Sequence, residues 1–218
     1  RNGFVEQDAR TKHYHLGLAP INLARIREQS FPLIAILQPH VDALRDLTQE
    51  TAHATLLSSG RLMNVLVAEP DRATRVFMDP SIDLPVHATA SGLAIAAHLP
   101  ASESATMIAA SNLEQFTQNT PPSESAFRAE LEQTLGQGFA RGNQSYEADV
   151  IGTAVAFFGA NGRPAGAIAV AAVASRFDGV LARKIETALL PAGQKLTREL
   201  GGVQPAANHQ SPLQEHLT

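Results

Sequence analysis

Two runs, Ile151 to Phe158 and Ala165 to Val173, stand on either side of Gly159-Ala160-Asn161-Gly162-Arg163-Pro164. Asn-Gly supplies positive φ at little cost, so the segment reads as an antiparallel hairpin. With Phe158 facing Ala165 across the ladder, Gly152 meets Ala171, Ala154 meets Ala169 and Ala156 meets Ala167. Alternate residues point the same way, so these six share one face of the sheet. So bare a face has to be filled, because protein interiors are close-packed. Either a helix lies close against it, as is common for sheets, or it forms the wall of a ligand pocket.

A second stretch, Leu84-Pro-Val-His-Ala-Thr-Ala-Ser-Gly-Leu-Ala followed by Ile95-Ala-Ala-His-Leu-Pro100, reads as a loop running into a short helix. The alanines favour helix and Pro100 marks its exit. Thr89 is placed to cap it, its hydroxyl accepting from an amide one turn in. The amides of Ala90, Ser91 and Gly92 then fall among the unpaired donors of the first turn. They suit a small anion such as a carboxylate, and Gly92 has no side chain to obstruct one. The plainer reading is a capped helix with water at its end.

The remaining elements follow in order. Residues 1–17 alternate enough to make a small hairpin, and His13 and His15 within it read as a solvated face rather than a metal site. Pro20 to Gln29 and Phe31 to Glu50 read as helices, the second with Leu33, Leu37, Val41 and Leu44 on one stripe and Pro39 interrupting it. Thr51 to Ser59 and Arg61 to Glu69 form a hairpin about Ser58-Ser59-Gly60, and Thr74 to Met78 reads as a further strand. Helices are expected near Ser102 to Ser111 and from the cap Ser123 to Gly136, then a strand or ordered loop over Gly138 to Ala148. A long helix, Asp178 to Leu200, carries Leu181, Ile185, Leu189, Ala192 and Leu196 on one stripe and ends at Gly201-Gly202. Residues 203–218 are polar and read as a disordered tail.

Composition excludes more than it selects. The 218 residues are 44% hydrophobic and 17% charged, as in a globular protein with one main domain. A net charge of −4 offers no general attraction to nucleic acid. Residues 1–28 carry five basic against three acidic side chains, leaving 12 against 18 for the rest. The absence of cysteine rules out disulfides and thiolate chemistry. No apolar run is long enough to span a membrane, and no signal peptide is visible. Neither a Gly-x-Gly-x-x-Gly turn nor a P-loop occurs, and no cofactor is expected. Ser91 has Thr89 where a nucleophile elbow needs glycine, and nothing places His87 or His98 beside it with an orienting carboxylate. An enzyme acting on a small acid, or a scaffold that only oligomerises, remain the alternatives to a binding domain.

The run from Leu84 to Ala94 resembles the signature that opens the ligand pocket of IclR-type transcriptional regulators. Gly3-Phe-Val-Glu-Gln-Asp with Tyr14-His-Leu-Gly resembles the end of that family's DNA-binding wing. Leu113 to Thr120, Gly138-Phe-Ala and Asn161-Gly-Arg-Pro-Ala-Gly-Ala-Ile-Ala-Val resemble later pieces in the same order. The resemblance covers residues 1–202. It implies a mixed α/β, GAF-like domain, an antiparallel sheet with helices on both faces. By the same resemblance, residues 1–17 are the remnant of a winged helix-turn-helix whose recognition helix is absent from this chain. Residues 18–30 are then a connecting helix, 31–202 the effector-binding domain and 203–218 the tail. Since the first residue is Arg1 rather than Met, the sequence reads as a fragment beginning inside a domain.

The resemblance also implies partners and a site. The partners are a small-molecule carboxylate effector, operator DNA through the missing N-terminal domain, and further copies in a cytoplasmic homodimer or homotetramer. The effector site is expected at Leu84, Ala90, Ser91, Gly92, Gly142, Asn143, Tyr146, Gly152, Ala169 and Ala171. The amides of Ser91 and Gly92 would hold the carboxylate. Four positions where the family has polar side chains are here Gly142, Gly152, Ala169 and Ala171. A small, highly polar acid would leave oxygens unpaired, at roughly 1–3 kcal/mol each. An acid with an aromatic or apolar body fits this set better, with Asn143, Tyr146 or Asp149 supplying a replacement contact. The rival view is a degenerate pocket that holds nothing. Leu93 in place of the family's lysine, Ser145 in place of an acidic residue, and Asp149 in place of glycine are the departures from the pattern.

Overall fold

A computed structural model describes residues 2–79 and 81–205. Its centre is a five-stranded sheet built from β3 (Thr51–Ser58), β4 (Arg61–Ala68), β5 (Ala140–Asn143), β6 (Val150–Phe158) and β7 (Pro164–Val173). The strands lie in the order β4-β3-β7-β6-β5, every neighbouring pair antiparallel. Gly152 pairs with Ala171, Ala154 with Ala169 and Ala156 with Ala167, as the hairpin reading requires. At the turn the register slips, and Phe158 faces Pro164 instead of Ala165.

Among the described residues there are six α-helices, α1 (Ala19–Ser30), α2 (Leu33–Thr48), α3 (Ala90–Ala96), α4 (Ala101–Ala110), α5 (Glu124–Gln137) and α6 (Gly179–Glu199); α2 to α6 flank the sheet, whereas α1 buries none of its residues. On one face α2 and α6 bury Leu33, Leu37, Val41, Leu44, Ile185, Leu189 and Leu196 against Ala52, Ala54, Val155, Phe157, Ile168 and Val170. On the other, α3, α4 and α5 bury Leu93, Ile95, Ile108, Phe127 and Leu131 against Ala140, Ala154, Ala167 and Ala169. Helices therefore lie on both faces of an antiparallel sheet, as expected. Thr89 and Ser123 cap their helices as expected, and Asp178, not singled out as a cap, does the same for α6; each accepts from the amides of the first turn.

One expectation fails here. Thr74 to Met78 is not a strand; it joins neither sheet among the described residues, and its backbone serves instead as a strap. The Thr51 hydroxyl donates to the Val76 carbonyl at 2.7 Å, tying this strap to the start of β3. Residues 206–218, most of the anticipated tail, lie outside the described residues. The N-terminal piece is as anticipated a two-stranded hairpin, β1 (Val5–Gln7) with β2 (Tyr14–Leu16), leading into α1.

Candidate functional site

Helix α3 meets the sheet over Gly142 and Gly152. A Cβ built on Gly142 would stand 3.1 Å from the Ala90 amide nitrogen, and one on Gly152 would stand 3.2 Å from the Ala90 Cβ. The absence of side chains at these two positions is what lets the first turn of α3 approach so closely. Further along α3, Ala154 and Ala167 are packed beneath the helix. The small-residue face therefore serves both purposes that the sequence left open: one end is covered by a helix, and the other is hollow.

The hollow has a volume of about 360 Å³, inside the range of small-molecule pockets. Gly142, Gly152, Ala169 and Ala171 form its floor, and Leu84, Ala90, Ser91 and Tyr146 also line it. Eight of the ten residues expected at the site are thus brought together. Asn143 is exposed and lies outside the lining, as does Asp149. Gly92 is also not part of it. Its amide donates to the Thr89 hydroxyl at 3.2 Å, and a Cβ there would press on the Val86 backbone at 2.2 Å. Gly92 is glycine because a loop passes behind it, and not because a ligand approaches it. The donors left over are the amides of Ala90 and Ser91, which meet no acceptor among the described residues. Since α3 has only two turns, these individual amides matter more than any helix dipole.

The four floor positions carry no hydrogen-bonding side chain, but the wall carries two that the sequence reading did not name. His53 on β3 and Asn64 on β4 both line the cavity, both nearly fully buried. His53 stands opposite Ala169 in the β3–β7 ladder, so the small residue there leaves room for the imidazole. Its Nε2 lies 3.3 Å from the Ser91 hydroxyl. The Thr55 hydroxyl donates to Asn64 Oδ1 at 2.9 Å and lies 3.3 Å from Ser91 Oγ. His53 Nδ1 and Asn64 Nδ2 have no partner among the described residues. Burial pushes the His53 pKa down to about 4, so its imidazole is neutral near pH 7.

The strap from Val76 to Asp79, together with Ile82 and Val150, closes the other side. Phe77, largely exposed to solvent, marks the mouth, and Asp79 and Glu147 are the charged residues of the lining. No lysine or arginine lines the cavity among the described residues. Tyr146 packs edge-on against Phe116, and its phenol pKa is raised by burial first and by Glu147 and Glu114 after that. The turn carrying Tyr146 is held from outside. Thr117 and Thr120 donate to the carbonyls of Gln144 and Ser145, and the Ser145 hydroxyl donates to Ala88 O at 2.8 Å. Ser145 is thus a brace for the loop ahead of α3.

Covalent catalysis gains nothing from this arrangement. The histidine beside Ser91 is His53, since His87 Nε2 is bonded to the Glu114 carbonyl and His98 Nδ1 to that of Ala94. No carboxylate orients His53, and its depressed pKa makes it a weak base.

Residues 28–198 match the family model of the bacterial transcriptional regulator IclR C-terminal domain. The chain is 36% identical to a putative IclR transcriptional regulator of known structure from Silicibacter sp. TM1040. The two superpose with a TM-score of 0.88 over 94% of this chain and 81% of that one. It is 24% identical to the HTH-type transcriptional regulator BhcR of Paracoccus denitrificans, over 89% of this chain and 70% of that protein. In fold it is also similar to an IclR homologue from Microbacterium hydrocarbonoxydans crystallised with 4-hydroxybenzoate. There the TM-score is 0.76 at 19% identity, over 90% of this chain and 80% of the other. The chain belongs to the IclR family of bacterial transcriptional regulators and carries that family's effector-binding domain.

Proposed function

We propose that the cavity above the alanine floor receives a small organic acid with an aromatic or apolar body, and that its occupancy controls DNA binding. The single observation that carries this reading is the hollow itself. It is open between Ala90 and Ala171 and walled by Val76, Phe77, Met78, Ile82 and Leu84, and at its α3 end two main-chain amides have no acceptor. A carboxylate satisfies those amides, and the apolar wall takes the rest of the molecule. The 4-hydroxybenzoate carried by the Microbacterium homologue is a compound of this kind.

The mechanism in this reading is linkage. A ligand that binds one subunit arrangement better than another shifts the equilibrium between them, and the attached DNA-reading heads move with it. Residues 2–17 are the end of the wing, α1 is the connecting helix, and the chain works as a homodimer or homotetramer. Supporting the last point, α1 buries none of its residues, and Leu18, Ile21, Leu23 and Ile26 are exposed around it.

A thermal-shift screen of aromatic and aliphatic monocarboxylic acids, with turnover followed in parallel, tests the reading. A ligand at 100 times its Kd stabilises by about 2.7 kcal/mol, or roughly 5–10 °C in a chain of this size. Stabilisation without product is the expected result. Product formation would mean an enzyme, and no stabilisation by any acid would mean a ligand-free scaffold.

A further inference from the structure

We propose that His53 and Asn64 form a second recognition pole in this cavity, one that selects effectors carrying a hydroxyl group remote from the carboxylate and rejects a second carboxylate. The proposal rests on the effector reading above and adds to it the residues that set specificity.

The argument begins with the protons. Thr55 has one hydroxyl hydrogen, and its 2.9 Å bond to Asn64 Oδ1 uses it. That bond orients the amide, so Asn64 Nδ2, a donor, is the atom left unpaired on a residue lining the cavity. In the proposed pole, Ser91 therefore gives its own hydrogen to Thr55 across their 3.3 Å contact, and its oxygen accepts from His53 Nε2, also 3.3 Å away. A neutral imidazole with its hydrogen on Nε2 has a lone pair on Nδ1, and Nδ1 is the second unpaired atom. The pole therefore offers one donor and one acceptor. A hydroxyl group matches both at once, accepting from Asn64 and donating to His53. A carboxylate matches only Asn64; it would set negative charge against the His53 lone pair, in a cavity whose charged residues are Asp79 and Glu147.

Strand order sets the separation of the Ala90 amide from the second pole. Asn64 and His53 lie on β4 and β3, while the Ala90 amide stands over Gly142 and Gly152 on β5 and β6, with the bare β7 positions 169 and 171 between. Neighbouring strands are about 4.8 Å apart, so β3 and β6 are separated by roughly 10 Å. A ligand bridging the poles thus carries its acid and hydroxyl groups on opposite sides of a flat or apolar body, which rests on the alanines.

The test is calorimetric titration of the full chain with benzoate, 3-hydroxybenzoate, 4-hydroxybenzoate and terephthalate. At least one hydroxybenzoate is expected to bind about tenfold or more tightly than benzoate, the value of one satisfied buried pair. Terephthalate is expected to bind more weakly than benzoate. In Asn64→Leu and His53→Leu, checked for folding by their melting curves, the hydroxybenzoate-to-benzoate affinity ratio should fall towards one. Should either variant fail to fold, the wild-type series decides alone. Equal affinity for benzoate and both hydroxybenzoates, terephthalate as tight as either, or a ratio unchanged in the folded variants would overturn the second pole and leave the effector reading standing. No binding of any of the four acids would overturn both.

Discussion

Gly142→Ala is the substitution that separates the site from the fold. The added methyl would stand 3.1 Å from the Ala90 nitrogen, 3.3 Å from the Ser145 hydroxyl, which has to give slightly, and 3.6 Å from the Ala88 carbonyl oxygen, crowding the approach to one of the two free amides. An amide-to-carboxylate hydrogen bond contributes about 1.5–3 kcal/mol, so its loss weakens acid binding roughly 10- to 150-fold. Stability should change little. The contact needs a shift of a few tenths of an ångström, and replacing glycine by alanine in a strand recovers roughly 0.5–1 kcal/mol. Gly142 also has no positive φ to strain a side chain. Calorimetric titration with benzoate, with melting of the ligand-free protein alongside, measures both quantities. An unaltered benzoate Kd with an unaltered melting temperature would refute the assignment of the Ala90 amide to the ligand. Gly92→Ala cannot serve in its place, because its methyl would collide with the Val86 backbone and any loss of binding would follow from disruption of the fold.

Other consequences are open to direct measurement. Below about pH 6.5 the unfolded chain takes up a proton at His53 that the native state refuses until about pH 4. Stability should therefore fall as pH drops through that window, by up to about 3 kcal/mol. His98, depressed by burial, acts in the same direction, so His53→Gln should flatten only part of the acid limb in denaturant titrations. Thr89→Ala removes the cap of α3 and should cost about 1 kcal/mol in equilibrium unfolding while also releasing the Gly92 amide, seen as faster hydrogen exchange there. Arg176→Ala leaves the Glu50 carboxylate, 1% exposed, without its bidentate partner and should cost about 3 kcal/mol by chemical denaturation. Gly136→Ala, on the open face of α5, should raise the melting temperature by roughly 2–4 °C.

Most of the frame could be read before any coordinates, and the failures have physical causes. The register of Gly152, Ala154 and Ala156 against Ala171, Ala169 and Ala167 follows from one turn and a period of two. Asn64 was hidden by a bulge. β3 steps from Ala54 opposite Leu66 to Thr55 opposite Asn64, skipping Val65. Leu62 and Asn64 therefore face the cavity side, whereas Leu66 and Ala68 face α2, although simple alternation puts all four together. His53 needed a different fact, namely that β3 lies beside β7, a non-consecutive pairing that no local pattern reveals. With that adjacency the signal is plain: a histidine between Thr51 and Thr55 on one face of a buried strand, opposite an alanine. The strap was misread because Thr-Arg-Val-Phe-Met alternates like a strand, while its side chains instead close the cavity mouth.

The main-chain donors at the start of α3 can be observed one by one. In a titration of ¹⁵N-labelled full-length chain with benzoate, the Ala90 and Ser91 amide resonances should move downfield and saturate together. Resonances that stay in place at millimolar benzoate, or shifts confined to surfaces away from Gly142, Gly152 and Ala171, would contradict a carboxylate held in this cavity.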